Sequence, residues 1–339
     1  MKACRMKVQK VAMVISTVLS CVCTSIACAW EPDKAVEIIV PNGIGGGSDQ
    51  MARKILEIVE RKKLAVKGIK VSNLTLGSGG EGFLETKNKW DDGHVVLLGA
   101  SSLFTLPIER NLPVSFDEFK PVRNMGMDVF IVWVQASSNV KTVKDFNEAM
   151  QGAGGRYKLG GTQKFQEDHI LGMLIKRQNK ADFGYVPYLG GGAVANGLAA
   201  GEVFYTLNNP SEAVRQWKEN KVRPVCLLDD ARLTHETWKG VPTCREQGLD
   251  VSYRMMRGIF APPSSPRGAV AWWQGVLAEV AADPAWKKFL ADSAIEPSEM
   301  SGSEFKAWLN KQGQLHRDLM LTAFPDAPWT KRKTTIASR

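Results

Sequence analysis

Asn42-Gly43-Ile44-Gly45-Gly46-Gly47-Ser48-Asp49 lies between an apolar run and an amphipathic one, where a backbone can approach a ligand closely. Three chemistries use such a stretch. A phosphate-binding P-loop needs Gly-Lys-Ser/Thr with the lysine on phosphate, but here Gly47 is followed directly by Ser48. A dinucleotide fingerprint needs glycine where Ser48 stands. A hydrolase nucleophile elbow needs glycine where Gln50 stands. Anion binding survives. A helix starting at Ser48 or Asp49 presents unpaired N–H groups and a partial positive charge, and glycine removes the Cβ that would keep a carboxylate away. Asp49 repels an anion there, so it reads as a loop brace, a water holder or an ordinary first-turn charge.

Gly160-Gly161-Thr162 repeats the design further along, with a hydroxyl donor in Thr162. Lys164 adds a full charge if it faces the ligand and is a solvated loop lysine if it does not. Ser101 and Ser102 follow an apolar strand and offer hydroxyls. Asn208 and Asn209 end another strand, where side-chain turn bonds are the alternative use. Catalytic material is thin. His169 follows Glu167-Asp168, and of the four histidines it alone stands near a glycine loop. No nucleophile has a base beside it, and no Cys/His spacing suggests a metal. Most of the ten tryptophans fall at apolar helix positions, as core residues do.

These residues need strands to carry them. "VEIIV" (36–40) reads as a buried strand, followed by a helix at 50–62 with Met51, Ile55, Ile58 and Val59 on one face. A strand at 70–76, a helix near 83–89 and a strand at 94–100 complete βαβαβ, which implies a parallel sheet covered on both faces. A long strand at 128–135 opens a second series: a helix at 142–150 capped by Thr142, a strand at 157–162, a helix at 166–178, and strands at 203–209 and 223–230. A strand and Pro-rich turn at 256–266 lead to C-terminal helices. Four glycine-bearing strand ends fall at 43–47, 77–82, 160–161 and 190–192. Ligands of open α/β sheets bind beyond the carboxyl ends of strands, so two lobes would pool these loops in one cleft.

Length and charge agree. At 339 residues, two lobes is the natural expectation. Lys2, Arg5, Lys7 and Lys10, the apolar run 11–22 and Ala27-Cys28-Ala29 have the order of a cleavable export signal. Ser25-Ile26-Ala27-Cys28 resembles a lipobox, with serine in the usual leucine place, so simple secretion to the periplasm is preferred. Removing 1–29 takes the formal charge from +9 to +5. Four more basic residues lie in the tail "PWTKRKTTIASR", which reads as solvated and flexible. The near-neutral body excludes the basic stripe of a nucleic-acid binder. Cys226 and Cys244 remain after the signal is removed and are a disulfide candidate in an oxidising compartment, against two buried free thiols.

Taken in order, these motifs resemble the periplasmic solute receptors of tripartite tricarboxylate transporters, the Bug or TctC-like family. "VEIIVPNGIGGGSDQMAR", "LTLGSGGEGFL", "GHVVLLGASSLFTLPI", "KLGGTQKFQEDH", "VPYLGGGAVANGLAAGEV", "NNPSEAVRQWKENKVRPV", "VPTCREQGLDV", "RGIFAPPSSP", "PAWKKFL" and "EFKAWL" carry the likeness from about Trp30 to Phe324. It implies a two-lobed α/β type II periplasmic binding fold, each lobe a mostly parallel sheet flanked by helices. Lobe 1 is 30–130 plus 252–324, lobe 2 is 131–251, and 325–339 is a basic tail. It implies capture of a small organic carboxylate by hinge closure, delivery to membrane permease subunits, a monomer, and no cofactor or metal. The ligand residues it points to are Asn42, Gly45, Gly46, Gly47, Ser48 and Asp49, then Ser101 and Ser102, then Gly161, Thr162, Gln163 and Lys164, and then Gly190, Gly191 and Asn208. Asn42 stands where many members have an aromatic residue. Gln163-Lys164-Phe165 replaces smaller residues, which reshapes the pocket. The alternatives are a periplasmic enzyme using Asp168 and His169, or a ligand sensor for a signalling kinase.

Overall fold

The computed structural model describes residues 30–331. The export signal read at 1–29 lies outside the described residues. Among these, no helix is long and apolar enough to cross a membrane.

In chain order, β1 (Val36–Val40) leads through α1 (Gly47–Arg61), β2 (Ile69–Asn73), α2 (Gly80–Asn88), β3 (Val95–Gly99) and α3 (Ser102–Arg110) to β4 (Lys120–Val129). A second series runs β5 (Ile131–Gln135), α4 (Val143–Gly152), β6 (Lys158–Thr162), α5 (Glu167–Asn179), β7 (Gly184–Tyr188), α6 (Gly191–Ala200), β8 (Tyr205–Asn208), α7 (Pro210–Lys218) and β9 (Val222–Leu227). The chain then makes β10 (Arg254–Ala261), α8 (Arg267–Ala282), α9 (Pro284–Ser293) and α10 (Gly302–Ala323).

Two five-stranded sheets result, β2-β1-β3-β10-β4 and β7-β6-β8-β5-β9. Each holds the parallel trio that βαβαβ implies, then one antiparallel strand, then an edge strand that runs with the trio again. In both, the fourth strand enters from the other lobe. The apolar stripe of α1 packs Met51, Ile55, Ile58 and Val59 against Val36, Ile38 and Val40 of β1, as a 3.6-residue period facing a buried strand requires. Trp133, Trp217 and Trp238 pack edge to face or tilted in the second lobe, so these tryptophans are core.

The apolar run 128–135 is not one strand. Asp128 and Val129 pair with β10 in the first sheet, and Ile131 onward pairs with β8 and β9 in the second. Phe130 is the single residue between. A continuous hydrophobic run has the same pattern in one buried strand as in two end-to-end ones. This crossing and β10 together form the two-strand link between lobes.

The C-terminal reading also changes. Trp329 is buried against Phe165 and Phe324, in a cluster with Ile170 and Met320. The segment up to Lys331 is therefore docked on the second lobe rather than solvated, because one indole outweighs the polar residues around it. Cys226 and Cys244 are bonded, with Sγ–Sγ 2.06 Å and 18 residues of separation. A loop of that length predicts that the Cys226→Ala/Cys244→Ala double variant loses about 3 kcal/mol in urea unfolding. Reductant should lower the wild type by the same amount and leave the variant unchanged.

Candidate functional site

Five helices begin at one cavity of about 400 Å³ between the lobes. The first residues of α1, α3, α5 and α6 line it, as does the first turn of α7. A helix start carries unpaired N–H groups and roughly half a positive charge, so the cavity is positive before any side chain is counted.

In the first jaw, Asn42, Gly46, Gly47 and Ser48 line the cavity. Gly45 and Asp49 stand behind it. Gly45 has φ +81°, which favours glycine, and its N–H donates to Asp49 Oδ2 at 2.8 Å. Asp49 also accepts from Arg53 Nε at 3.0 Å and Asn73 Nδ2 at 3.0 Å, and the same Asn73 nitrogen donates to Asn42 O. Burial pushes the Asp49 carboxyl up, but the bonds from Arg53, Gly45 and Asn73 outweigh it and hold it below its usual range. Asp49 is thus the loop brace, which the sequence left open beside a water holder and a plain first-turn charge.

In the opposite jaw, Thr162 and Gln163 line the cavity, but the Thr162 hydroxyl is already committed. Its Oγ1 and its backbone N–H both donate to Asp168 Oδ2, at 3.0 and 2.5 Å. Gly161 serves packing rather than ligand approach: a Cβ there would collide with the Tyr185 hydroxyl and lie 2.7 Å from Asp168 Cβ. Lys164 is exposed and does not line the cavity. Gln163 and Phe165 both have positive φ, at 46° and 63°, so the turn faces Gln163 inward, docks Phe165 on Phe324, and leaves Lys164 in water.

Ser102, Gly190 and Gly191 line the cavity, whereas Ser101 is buried outside it as the N-cap of α3. Asn208 is also set back. Its Nδ2 donates to Gly191 O at 3.0 Å and to Glu212 Oε2 at 3.1 Å, so it positions Glu212. The glycines at 77–82 do not join the cleft either. A Cβ on Gly79 would collide with Pro41 O, and one on Gly82 would sit 3.0 Å from Pro41 Cβ. They let α2 pack on the end of β1.

The centre of the site is Arg257 on β10, 3% exposed. It donates to Asp128 Oδ2 through Nε at 3.1 Å and Nη2 at 2.5 Å, to Ser48 Oγ at 2.7 Å and to Asn209 Oδ1 at 3.1 Å. Asn209 Nδ2 in turn donates to Val129 O at 2.7 Å. One guanidinium therefore joins both linking strands to the starts of α1 and α7. Burial pushes Asp128 up to about 6 against the pull of Arg257, so the pair is ionised at neutral pH. A Cβ on Gly47 would lie 2.5 Å from Arg257 Nη2, which is why α1 must start on glycine.

Sequence reasoning missed Arg257, Glu212 and Gln166, and took Glu167 only as a neighbour of His169. An arginine inside the apolar strand "RMMRGIFA" was the available signal, since a buried charge needs a partner. The Asp168–His169 pair considered for catalysis is not formed. Asp168 bonds Thr162, while His169 Nδ1 accepts from Phe165 N–H at 3.1 Å and its ring stacks on Tyr185. Burial drives His169 down to about 4, with Lys164 adding to the effect.

Known proteins share this architecture. A UPF0065 protein of Bordetella pertussis is 23% identical over 299 residues, covering 84% of this chain and 88% of that protein. A solved R. palustris protein with adipate superposes with a TM-score of 0.81 at 20% identity, over 86% of this chain and 98% of that one. MatC from Rhodopseudomonas palustris, solved with bound malate, gives 0.74 at 21% identity, over 85% and 99%. The model of the tripartite tricarboxylate transporter family receptor matches residues 61–321. With every strand but β1, both linking strands and four of the five helix starts inside that match, the chain belongs to the tripartite tricarboxylate transporter receptor family.

Proposed function

We propose that the protein is a periplasmic solute receptor, exported by the signal at 1–29. It closes two lobes over a small organic acid and delivers it, as a monomer, to membrane permease subunits. The observation that carries this is the convergence of five helix N-termini on one interlobe cavity. Such ends bind carboxylates without a dedicated lysine or arginine. The malate and adipate held by the two R. palustris proteins are small acids of this class. Two linking strands give the lobes a hinge, and a solute touching both lobes favours the closed arrangement by its extra contacts.

A thermal-shift panel of small carboxylates, with native mass spectrometry of freshly purified protein, tests the reading. An acid at a hundred times its dissociation constant should add about 2.7 kcal/mol. A panel of mono-, di- and tricarboxylates and amino acids that gives no shift and no bound mass would sink it.

A further inference from the structure

We propose that the solute carries a cationic nitrogen as well as a carboxylate, and that Glu167 and Glu212 of the second lobe hold the cation. This rests on the receptor reading above and names the substrate class within it. Among the described residues lining the cavity, Glu167, Asp168 and Glu212 are acidic and Arg257 is the one cation. The charge of Arg257 is already matched by Asp128, which takes two of its five N–H groups, and Ser48 and Asn209 take two more. A second organic anion of the malate or adipate kind would meet Glu167 and Glu212 with no free cationic side chain beside it.

The acids are divided by lobe in an informative way. In the first lobe, α1 and α3 present no carboxylate to the cavity, since Asp49 of α1 is turned onto Gly45, Arg53 and Asn73. In the second lobe, α5 and α7 carry all three acids in their first turns. First-turn acids often serve their own helix, and the Glu167 carboxylate does meet its own backbone N–H, but that leaves one oxygen over. Glu167 is 6% exposed, its Oε1 is buried without a hydrogen-bond partner, and it lines the cavity. The chain supplies that oxygen with no donor, and a ligand N–H in the cavity can. Burial pushes Glu167 up, with Glu212 adding to this, while its own backbone N–H, Arg257 and the Ser102 N–H pull it back. An ammonium between the two glutamates would relieve the same strain.

Glu212 is held ready for this. Asn208 fixes Oε2, and Oε1 accepts from Gly47 N–H at a long 3.3 Å. The next N–H groups of α1, on Ser48 and Asp49, have no partner within the helix and suit the carboxylate end. Among the described residues, no three His, Cys, Asp or Glu side chains stand close enough to hold a metal ion.

Matched pairs of probes decide the matter: succinate against 4-aminobutanoate, glutarate against 5-aminopentanoate, and adipate against 6-aminohexanoate. Calorimetry on the wild type should show at least one amino acid binding tenfold or more tighter than the diacid of equal length. Glu167→Gln and Glu212→Gln should each cut that amino acid's affinity at least tenfold and raise the diacid's. If no amino acid outbinds its equal-length diacid tenfold, or if Glu→Gln weakens both alike, the cation site is overturned and the receptor reading stands. Binding of none of the six also overturns it, and the receptor reading falls as well only if the broader carboxylate panel fails. Should Glu167→Gln not fold, the wild-type comparison and Glu212→Gln carry the test.

Discussion

Arg257→Met should cost about 3–5 kcal/mol of stability, because it leaves a buried carboxylate without its partner. Asp128 is fully buried and takes two N–H groups from that guanidinium. Methionine keeps the stem volume and removes every donor. The loss should appear as a lower urea midpoint at neutral pH. It should shrink as the pH falls, because without the pull of Arg257 burial holds the Asp128 carboxyl higher still and protonation removes the orphaned charge. The double variant Asp128→Asn/Arg257→Met should recover most of the loss, since replacing both partners of a buried pair is often close to neutral. Solute affinity should not recover in the double variant. Ser48 and Asn209 would still lack the guanidinium that ties the start of α1 to the start of α7. A single variant within about 1 kcal/mol of wild type would mean that the pair contributes no more than a surface salt bridge.

The framework around this arginine was legible in the sequence because it rests on periodicity. "VEIIV" and the 51/55/58/59 stripe fix β1 and α1 with no help from the rest of the chain. Glycine positions marked the loops well and their uses poorly. Gly45 has the left-handed backbone, Gly47 yields to Arg257, Gly161 yields to Asp168 and Tyr185, and Gly79 yields to Pro41. The same residue type serves conformation at Gly45, close packing at Gly47 and Gly161, and both at Gly79, where φ is 95°, and neighbours distant in sequence are needed to tell them apart. Lys164 illustrates the converse. Two positive-φ residues flank it, and no propensity rule foresees a non-glycine pair in that region. The acidic residues of the cavity were hidden for a related reason. Glu167 and Glu212 look like ordinary first-turn charges until the opposite lobe buries one and meets the other at Gly47.

Asp168→Asn should flatten the pH dependence of stability. Burial, with Glu212 and Glu167 adding to it, lifts the Asp168 carboxyl to about 8, in spite of the bonds from Thr162. The folded pKa therefore lies above the unfolded value, near 3.8, and the folded state binds the proton more tightly. Stability from this group is fully present below about pH 4 and is lost as the pH rises through about 8. The total loss across that window is on the order of several kcal/mol. At neutral pH the protonated acid predominates, with Oδ2 accepting both Thr162 bonds. Asparagine has the same shape and does not titrate, so its amide oxygen can keep the Thr162 bonds while its nitrogen stands in for the protonated oxygen. Urea midpoints of wild type and variant should agree below about pH 4 and separate progressively toward pH 9, with the variant the more stable. Some downward slope should remain, because Asp128 and Glu167 are also pushed up by burial. Parallel curves across the whole range would mean that Asp168 is ionised throughout, and that the cavity holds one more full negative charge at neutral pH than the pairing of Thr162 with a neutral acid allows.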